Sequence, residues 1–431
     1  MNKNMRVLWF STNSANYRYN NHGNHYGYGG GGWMSSLQRE IQRKSTIGLG
    51  ICFVNGGVYK SETQGKVAYY IVPCHKKLVK DKIIDLIRFG EVTRDEILWQ
   101  HYITYFKRVI EDFKPDVVEV FGSELYTGLG AVAAKELQVP CVLHLQGILS
   151  LYYYTILPTG VSRWSFIMKD GLKGAYANFQ LLTYWKRSCH REKAILNAVS
   201  HVIGRTDWDK HALEVLNPKA EYHWGGEILR PCFYEDAKRE KPAKAIITTT
   251  SSGASYKGFD IVLKTANILK NECGLDYEWN VYGNVESKFF EKLTGVRHND
   301  VNVNLKGVAS AEQLREAMLK STLYFQPSYV ENSPNSVAEA QMLGLPVVAT
   351  NVGGTSSMVV HGETGFLFPA TDPYMAAYYV MKLVKDDSLN TKLGSEGQEV
   401  ARQRHDGQYI VNSLMVIYKN IISDMYCKNA E

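Results

Sequence analysis

No stretch of this 431-residue chain approaches the ~18 consecutive apolar residues that a bilayer-crossing helix requires, so no integral anchor is expected. The start, MNKNMRVLWFSTNSAN, lacks the basic head, apolar middle and small-residue cleavage site of a secretory leader, and a cytoplasmic protein is the expectation. Cysteine is sparse: seven residues (Cys52, Cys74, Cys141, Cys189, Cys232, Cys273, Cys427) never form a C-x-x-C pair, which argues against a disulfide framework or a zinc site. A dense basic stripe is missing as well, because the formal charge is only +6, and nucleic acid is not an expected partner. The excess is partly local. Lys169, Lys173, Lys186, Arg187, Arg191 and Lys193 interleave with Trp164, Phe166, Tyr176, Phe179, Tyr184 and Trp185, which suits either a solvated helix face or contact with an anionic membrane or phosphorylated acceptor.

What is present is alternation. Short β-branched runs (Arg6 to Phe10, Ile47 to Val54, Val67 to Val72, Asp116 to Phe121, Val139 to Leu145, Val202 to Arg205) alternate with helical stretches such as Thr93 to Phe113, Thr127 to Leu137 and Trp185 to Val199. After PCFYEDAKREKPAK, which reads as a linker, the pattern repeats from Ala245 to Thr350. Ile410, Leu414, Ile417 and Ile421 then fall on one helical face. The fold class is therefore α/β. Two Rossmann-like, doubly wound domains (1–235 and 236–405) face a cleft, and a terminal helix (406–431) packs on a domain surface, either that of the second domain or, crossing back, that of the first. Ligands of such sheets bind beyond the strand C-termini.

The most informative stretch is PSYVENSPNSVAEAQMLGLPVVATNVGG, Pro327 to Gly354. Glu331 falls in a loop after a strand, and Ser333 followed by Pro334 reads as a hydroxyl N-cap before proline at the first helical position. The amides of Asn335, Ser336 and Val337 would then point out of the helix N-terminus, a ready site for a phosphate. Glu339 lies roughly 7 to 8 Å along the helix axis, so a ligand across the N-terminus meets a carboxylate at either side. An anion flanked by two carboxylates that accept from hydroxyls describes a nucleoside diphosphate sugar.

Glu331 and Glu339 stand at E-x7-E spacing, and with GLPVVATNVGG and HGETGFLF the region resembles the donor domain of the family 4 retaining glycosyltransferases. GRTDWD and NPKAEYHWGGEILRPCFY are similar to a subgroup that builds surface polysaccharide. The resemblance implies the GT-B fold, with Glu331 on sugar hydroxyls, Glu339 on the ribose diol, and Asn332, Ser333, Asn335, Ser336 and Val337 along the sugar and diphosphate. SYKGFDIVLKTANIL resembles the family's lysine-glycine motif, which implies that Lys257 neutralises the leaving diphosphate. A lysine at a helix start opposes the helix dipole, and a bound anion would relieve that conflict. The family's arginine five or six residues earlier is replaced by Ser252 and Ser251. Arg205 either substitutes for it, or caps a strand, or pairs with Asp207 or Asp209. Asp207-Trp208-Asp209 also matches a D-x-D metal motif, but two carboxylates opening a helix are more simply dipole partners, and no essential metal is expected.

KPDVVEVFGSELYTGLGAVAAKELQVPCVLHLQG resembles the acceptor-domain core of the same family. Where many members place a histidine before the glycine, this chain has Gln146, with His144 two residues earlier on the same strand face as a candidate acceptor contact. A glutamine cannot act as a general base. The implied mechanism is front-face retaining transfer, in which the leaving diphosphate takes the acceptor proton and Gln146 orients the sugar. Asp116 and Glu119 read as strand-edge residues.

Gly27, Gly29 and Gly32, in GNHYGYGGGGWMSS, satisfy G-x-G-x-x-G literally. No strand immediately precedes them and no acidic residue follows about 20 positions on, so a dinucleotide site for hydride transfer is excluded. By the resemblance, Gly31 and Gly32 meet the donor phosphates, and Tyr26 and Tyr28 belong to a lid over the acceptor. His22 and His25 lack further converging ligands. The expected protein is a metal-independent retaining glycosyltransferase that uses no cofactor besides its co-substrate, a UDP- or GDP-linked sugar. Its acceptor is a saccharide or polyprenyl-linked saccharide, met at the inner face of the cell membrane. A catalytically silent sugar-nucleotide or glycan-binding module and a sugar-nucleotide epimerase are the alternatives.

Overall fold

The computed structural model describes residues 4–17, 32–75, 91, 95–240 and 242–428, with side chains as far as residue 425. The first sheet holds β1 (Arg6–Phe10), β2 (Gly48–Val54), β3 (Lys60–Gln64), β4 (Val67–Val72), β5 (Val117–Phe121), β6 (Cys141–His144), β7 (His201–Gly204) and β8 (Glu221–Trp224), in the order β3-β4-β2-β1-β5-β6-β7-β8. Neighbours are parallel except β3, which runs antiparallel to β4. Its central strands are apolar runs buried on both faces, as helices packed on either side of a parallel sheet require. Among those helices are α1 (Gly32–Lys44), α2 (Glu96–Phe113), α3 (Gly130–Glu136), α4 (Gly171–Leu196) and α5 (Asp207–Leu216).

The second sheet is wholly parallel, ordered β11-β10-β9-β12-β13-β14. It comprises β9 (Ala245–Thr250), β10 (Tyr277–Tyr282), β11 (Val303–Gly307), β12 (Leu323–Gln326), β13 (Val347–Thr350) and β14 (Gly365–Phe368). Around it lie α6 (Phe259–Asn267), α7 (Ala311–Leu319), α8 (Asn335–Met342), α9 (Pro373–Lys385) and α10 (Asp387–Arg404). In each sheet the strand order reverses once at the middle, beside β1 in the first and beside β9 in the second. The crevices at the C-terminal ends of β1/β5 and β9/β12 are the switch points where such sheets receive ligands.

The last helix, α11 (Gly407–Lys428), leaves the second domain and completes the first. Ile410, Val411, Leu414, Ile417, Tyr418 and Ile421 enter one apolar cluster with Val7, Trp9, Trp33, Leu37 and Ile41. Trp9 Nε1 donates to the Tyr418 hydroxyl at 3.2 Å, and that hydroxyl donates to the buried Glu119 carboxylate. No described helix is long and apolar enough to cross a membrane.

Three strands escape the sequence pattern. β3 (KSETQ) and β8 (EYHW) are polar edge strands without apolar alternation, and β14 (GFLF) is too short to announce itself. Helix α4 begins at Gly171 rather than Trp185, because its first turns carry exposed Leu172, Lys173 and Tyr176 and so lack a buried stripe. Further along that helix Arg187 and Arg191 are buried, not solvated: Arg191 pairs with Asp95 at 3.1 Å.

Candidate active site

Lys257 and Glu331 meet at the switch point of the second sheet. Lys257 follows β9 and ends a short 3-10 turn, Gly258 turns the chain through a positive φ of 70°, and α6 begins. A side chain at 258 would strike the Pro327 carbonyl, so this close approach of the two loops needs glycine. Glu331 follows β12. Its Oε1 lies 2.5 Å from Lys257 Nζ and also accepts from the Ser328 hydroxyl at 2.6 Å and Gln326 Nε2 at 2.9 Å. Burial pulls the Lys257 ammonium down, but the facing Glu331 carboxylate more than offsets this and holds it above its ordinary value. Gly353 (φ 52°) closes over the Glu331 carbonyl where a Cβ would collide.

Beside this pair, α8 starts one residue later than its sequence suggests. Pro334 is the N-cap, and the Ser333 hydroxyl, read as the cap, instead donates to the Glu227 carboxylate. The Val337 amide is not unpaired, because it donates to the Pro334 carbonyl at 2.9 Å, and its side chain is buried in the core. Asn335 keeps a buried Oδ1 with no hydrogen-bond partner, and the Ser336 hydroxyl lies at 3.4 Å from Gln326 Oε1. Glu339, buried on α8, is gripped by both arms of Arg230, at 2.6 Å each. Arg230 also lines a cavity of about 300 Å³ with Arg39, Ala311, Glu312 and Arg315, at the start of α7. The sequence offered no reason to single out Arg230, since its partner lies more than a hundred residues away.

The first domain supplies the opposite wall. Gln146 follows β6, and its carbonyl accepts from Asn332 Nδ2 at 3.3 Å. Asn332, expected along the donor, is 1% exposed and committed across the domains: it also donates to Asp209 at 2.9 Å and accepts from the Thr206 hydroxyl at 2.7 Å. Asp209 and Thr206 form a capping box at the start of α5. Arg205 is buried. Its guanidinium bonds the Leu145 carbonyl at 2.9 Å, lies 5.1 Å above the Trp33 ring and pairs with Glu227 at 3.5 Å. Its pairing with Asp207 or Asp209 is thus corrected: Asp209 holds only the Arg205 backbone amide. His144 does not face the cleft as an open acceptor contact. It is 2% exposed, hydrogen-bonded to Glu119 at 2.9 Å and flanked by Trp33 and Phe121. Glu119 is no edge residue either, since β5 lies between β1 and β6 and its carboxylate is fully buried. Asp116 accepts the Arg6 amide at 2.7 Å.

Two carboxylates at this wall were not singled out from the sequence. Glu227, fully buried in GGEIL, gathers Arg205 and Ser333 at the point where the chain passes between domains. Glu124, in the turn after β5, lies against Gly147, and its Oε2 is sealed from solvent without a partner. Burial pushes its carboxyl up to about 7, the neighbouring Glu192 adds to the rise, and Arg205 opposes it. A folded-state value above the ordinary one means that the native protein binds the proton more tightly. Stability from this group is full below about 4.5 and declines as pH rises through about 7. Glu124→Gln should therefore unfold later than the parent at pH 8, by on the order of 2 kcal/mol, and match it at pH 4.5. Urea melts at both pH values check this, and an equal effect at both would place the gain elsewhere.

Gly32 opens α1, whose Trp33 and Met34 pack beside Arg205 and Gln146. Gly31, Tyr26, Tyr28, His22 and His25 lie outside the described residues.

A family model described as glycosyl transferases group 1 matches residues 234–400. CapM of Staphylococcus aureus, a capsular polysaccharide biosynthesis glycosyltransferase, is 34% identical over 98 residues, 23% of this chain and about a quarter (26%) of that protein. An uncharacterized glycosyltransferase of Methanocaldococcus jannaschii is 26% identical over 299 residues, 69% of this chain and 73% of the other. Sucrose-phosphate synthase from Thermosynechococcus elongatus aligns with a TM-score of 0.69 at 14% identity, covering 98% of this chain and 100% of that one. HepE from Anabaena, solved with UDP and glucose, aligns at 0.63 and 15% identity, covering 96% and 99%. The match through the second domain and the full-length agreement in fold lead to one conclusion from two sides: residues 234–400 are similar to the glycosyl transferases of group 1, and the whole chain is built on the GT-B fold.

Proposed function

We propose that the cleft transfers a sugar, with retention of anomeric configuration and without a metal, from a UDP- or GDP-linked donor to a saccharide or polyprenyl-linked acceptor in surface-polysaccharide assembly. The observation that carries this reading is the Lys257–Glu331 pair at the second switch point, facing Gln146 across the cleft through Asn332. In the free protein each neutralises the other. A diphosphate arriving beside Lys257 and the amides of Asn335 and Ser336 takes the place of the carboxylate, which is then free to accept from sugar hydroxyls. Glu339, in reach of the same helix start, exchanges Arg230 for the ribose diol, and the cavity beside Arg230 receives the nucleoside. Arg205 is engaged by Trp33, the Leu145 carbonyl and Glu227, which supports Lys257 as the principal cation at the leaving group. The departing phosphate oxygen takes the acceptor proton, which leaves Gln146 an orienting role.

The names of relatives such as CapM and the UDP and glucose in the HepE structure support the donor and the polysaccharide setting. Peripheral contact with the inner face of an anionic membrane, from a cytoplasmic location, is supported by the exposed Trp164, Leu172, Tyr176 and Lys173. Incubation with a panel of nucleotide sugars, with and without a crude lipid-linked acceptor, tests the reading. Acceptor-dependent nucleotide release is expected for UDP or GDP donors. Binding without turnover would make this a silent module, and a changed sugar on an intact nucleotide would make it an epimerase.

A further inference from the structure

At the far edge of the first sheet, away from the cleft, two histidines and a carboxylate converge. His201 opens β7, and the parallel register sets it opposite Glu221, which opens β8. His223 lies two residues on from Glu221 and therefore shares its face. His201 Nδ1 and His223 Nε2 are 3.2 Å apart, Glu221 lies 3.6 Å from His201 Nδ1, and one ligand atom from each of the three residues falls within 4.8 Å of the other two. The second nitrogen of His201 points at Asp424 of α11, 3.8 Å away.

We infer that His201, His223 and Glu221 form a binding site for a zinc-class divalent cation, with Asp424 as the outer carboxylate that orients His201. Two imidazole nitrogens bound to one tetrahedral zinc at about 2.0–2.1 Å lie roughly 3.3 Å apart, so the two rings already stand at ligand separation. Mixed nitrogen and oxygen donors select zinc, cobalt or nickel over calcium or magnesium. A carboxylate on the second nitrogen of a ligating histidine fixes its tautomer and ring orientation. His201 is 7% exposed and Glu221 is exposed, so the site is rigid on one side and open to solvent on the other. Because Asp424 belongs to the returning helix, a bound cation ties the end of α11 to the β7–β8 edge. The site is unrelated to sugar transfer and is read without an activity assay.

Titration of the full, tag-free chain with Co²⁺ and Zn²⁺ tests the site. One equivalent of Co²⁺ with a visible absorption band is expected, displaced by Zn²⁺, together with a Zn²⁺-dependent rise in melting temperature. Glu221→Gln combined with His223→Ala, both at the open side, should weaken binding at least about 100-fold and abolish the thermal shift. Asp424→Asn should weaken it about tenfold. Circular dichroism of the double variant checks that it remains folded. Unchanged stoichiometry and affinity in the folded double variant, or no binding by the parent, would overturn the site and leave a hydrogen-bonded histidine pair.

Discussion

Glu331→Gln is expected to bind nucleoside diphosphate at least as tightly as the parent while transferring sugar about 10²–10³-fold more slowly. The two effects separate because of the pairing in the free protein. Glu331 lies 2.5 Å from Lys257, so the ammonium that should meet the diphosphate is engaged before the donor arrives. Removing the carboxylate's charge releases that ammonium, and glutamine still offers an oxygen to the Ser328 and Gln326 donors that hold the loop. What is lost is the anionic acceptor for sugar hydroxyls when positive charge develops at the reacting carbon. Lys257→Met provides the opposite case, with nucleotide affinity and rate falling together, the former by about 10- to 100-fold. Isothermal titration with UDP and GDP, alongside single-turnover transfer, checks both variants. A parallel loss of nucleotide affinity and rate in Glu331→Gln would reduce Glu331 to a structural partner of Lys257.

The second large effect lies outside the donor loops. Glu227→Ala should cost about 3–5 kcal/mol of stability, because it leaves the Arg205 guanidinium buried at 3% exposure without its carboxylate and frees the Ser333 hydroxyl. For domains of this size that corresponds to roughly 10 °C in Tm. The pH dependence gives the more specific signature. Burial alone would raise the Glu227 carboxyl, but Arg205, then His405 and Arg404, with the Ser333 hydroxyl donating, hold it at about 2. A folded value below the ordinary one means that the unfolded chain takes the proton first as pH falls. The contribution is therefore present above about 4.5 and is lost progressively down to about 2. Parent and Glu227→Gln should differ by on the order of 3 kcal/mol near pH 6 and converge towards pH 2. Chemical melts across that range check the convergence. A difference that persists to pH 2 would show that packing, rather than charge, is what Glu227 provides.

These two positions also mark how far the sequence could be read. Glu331 and Lys257 are local: each sits in a loop whose glycine or neighbouring strand signals its backbone, so their placement beyond strand ends was legible. Glu227 and Glu124 carry no such signal. What distinguishes them is burial against Arg205, Ser333 and Gly147, residues brought near by the folding of both domains. Arg230 is similar, since only the packing of the interdomain segment on α8 sets it on Glu339. The misread features have physical reasons too. Ser333 had a suitable hydroxyl for a cap, which would accept a helix amide, but here the hydroxyl donates to the buried Glu227 carboxylate and Pro334 takes the N-cap position. His144 shares a strand face with Gln146, but strand β6 ends between them and the helix from Gly32 covers the histidine with Trp33.

The return of α11 has a consequence for how the chain reaches its native state. The bond from Trp9 to Tyr418 spans 409 positions, and the apolar cluster around β1 is shared with residues 410 to 421. The second domain is contiguous, so on a ribosome it has all its strands and helices while α11 is still being made. The first domain, although synthesised earlier, waits with one apolar flank uncovered until the final helix emerges, and the slow, long-range step of folding belongs to the half of the protein that was made first.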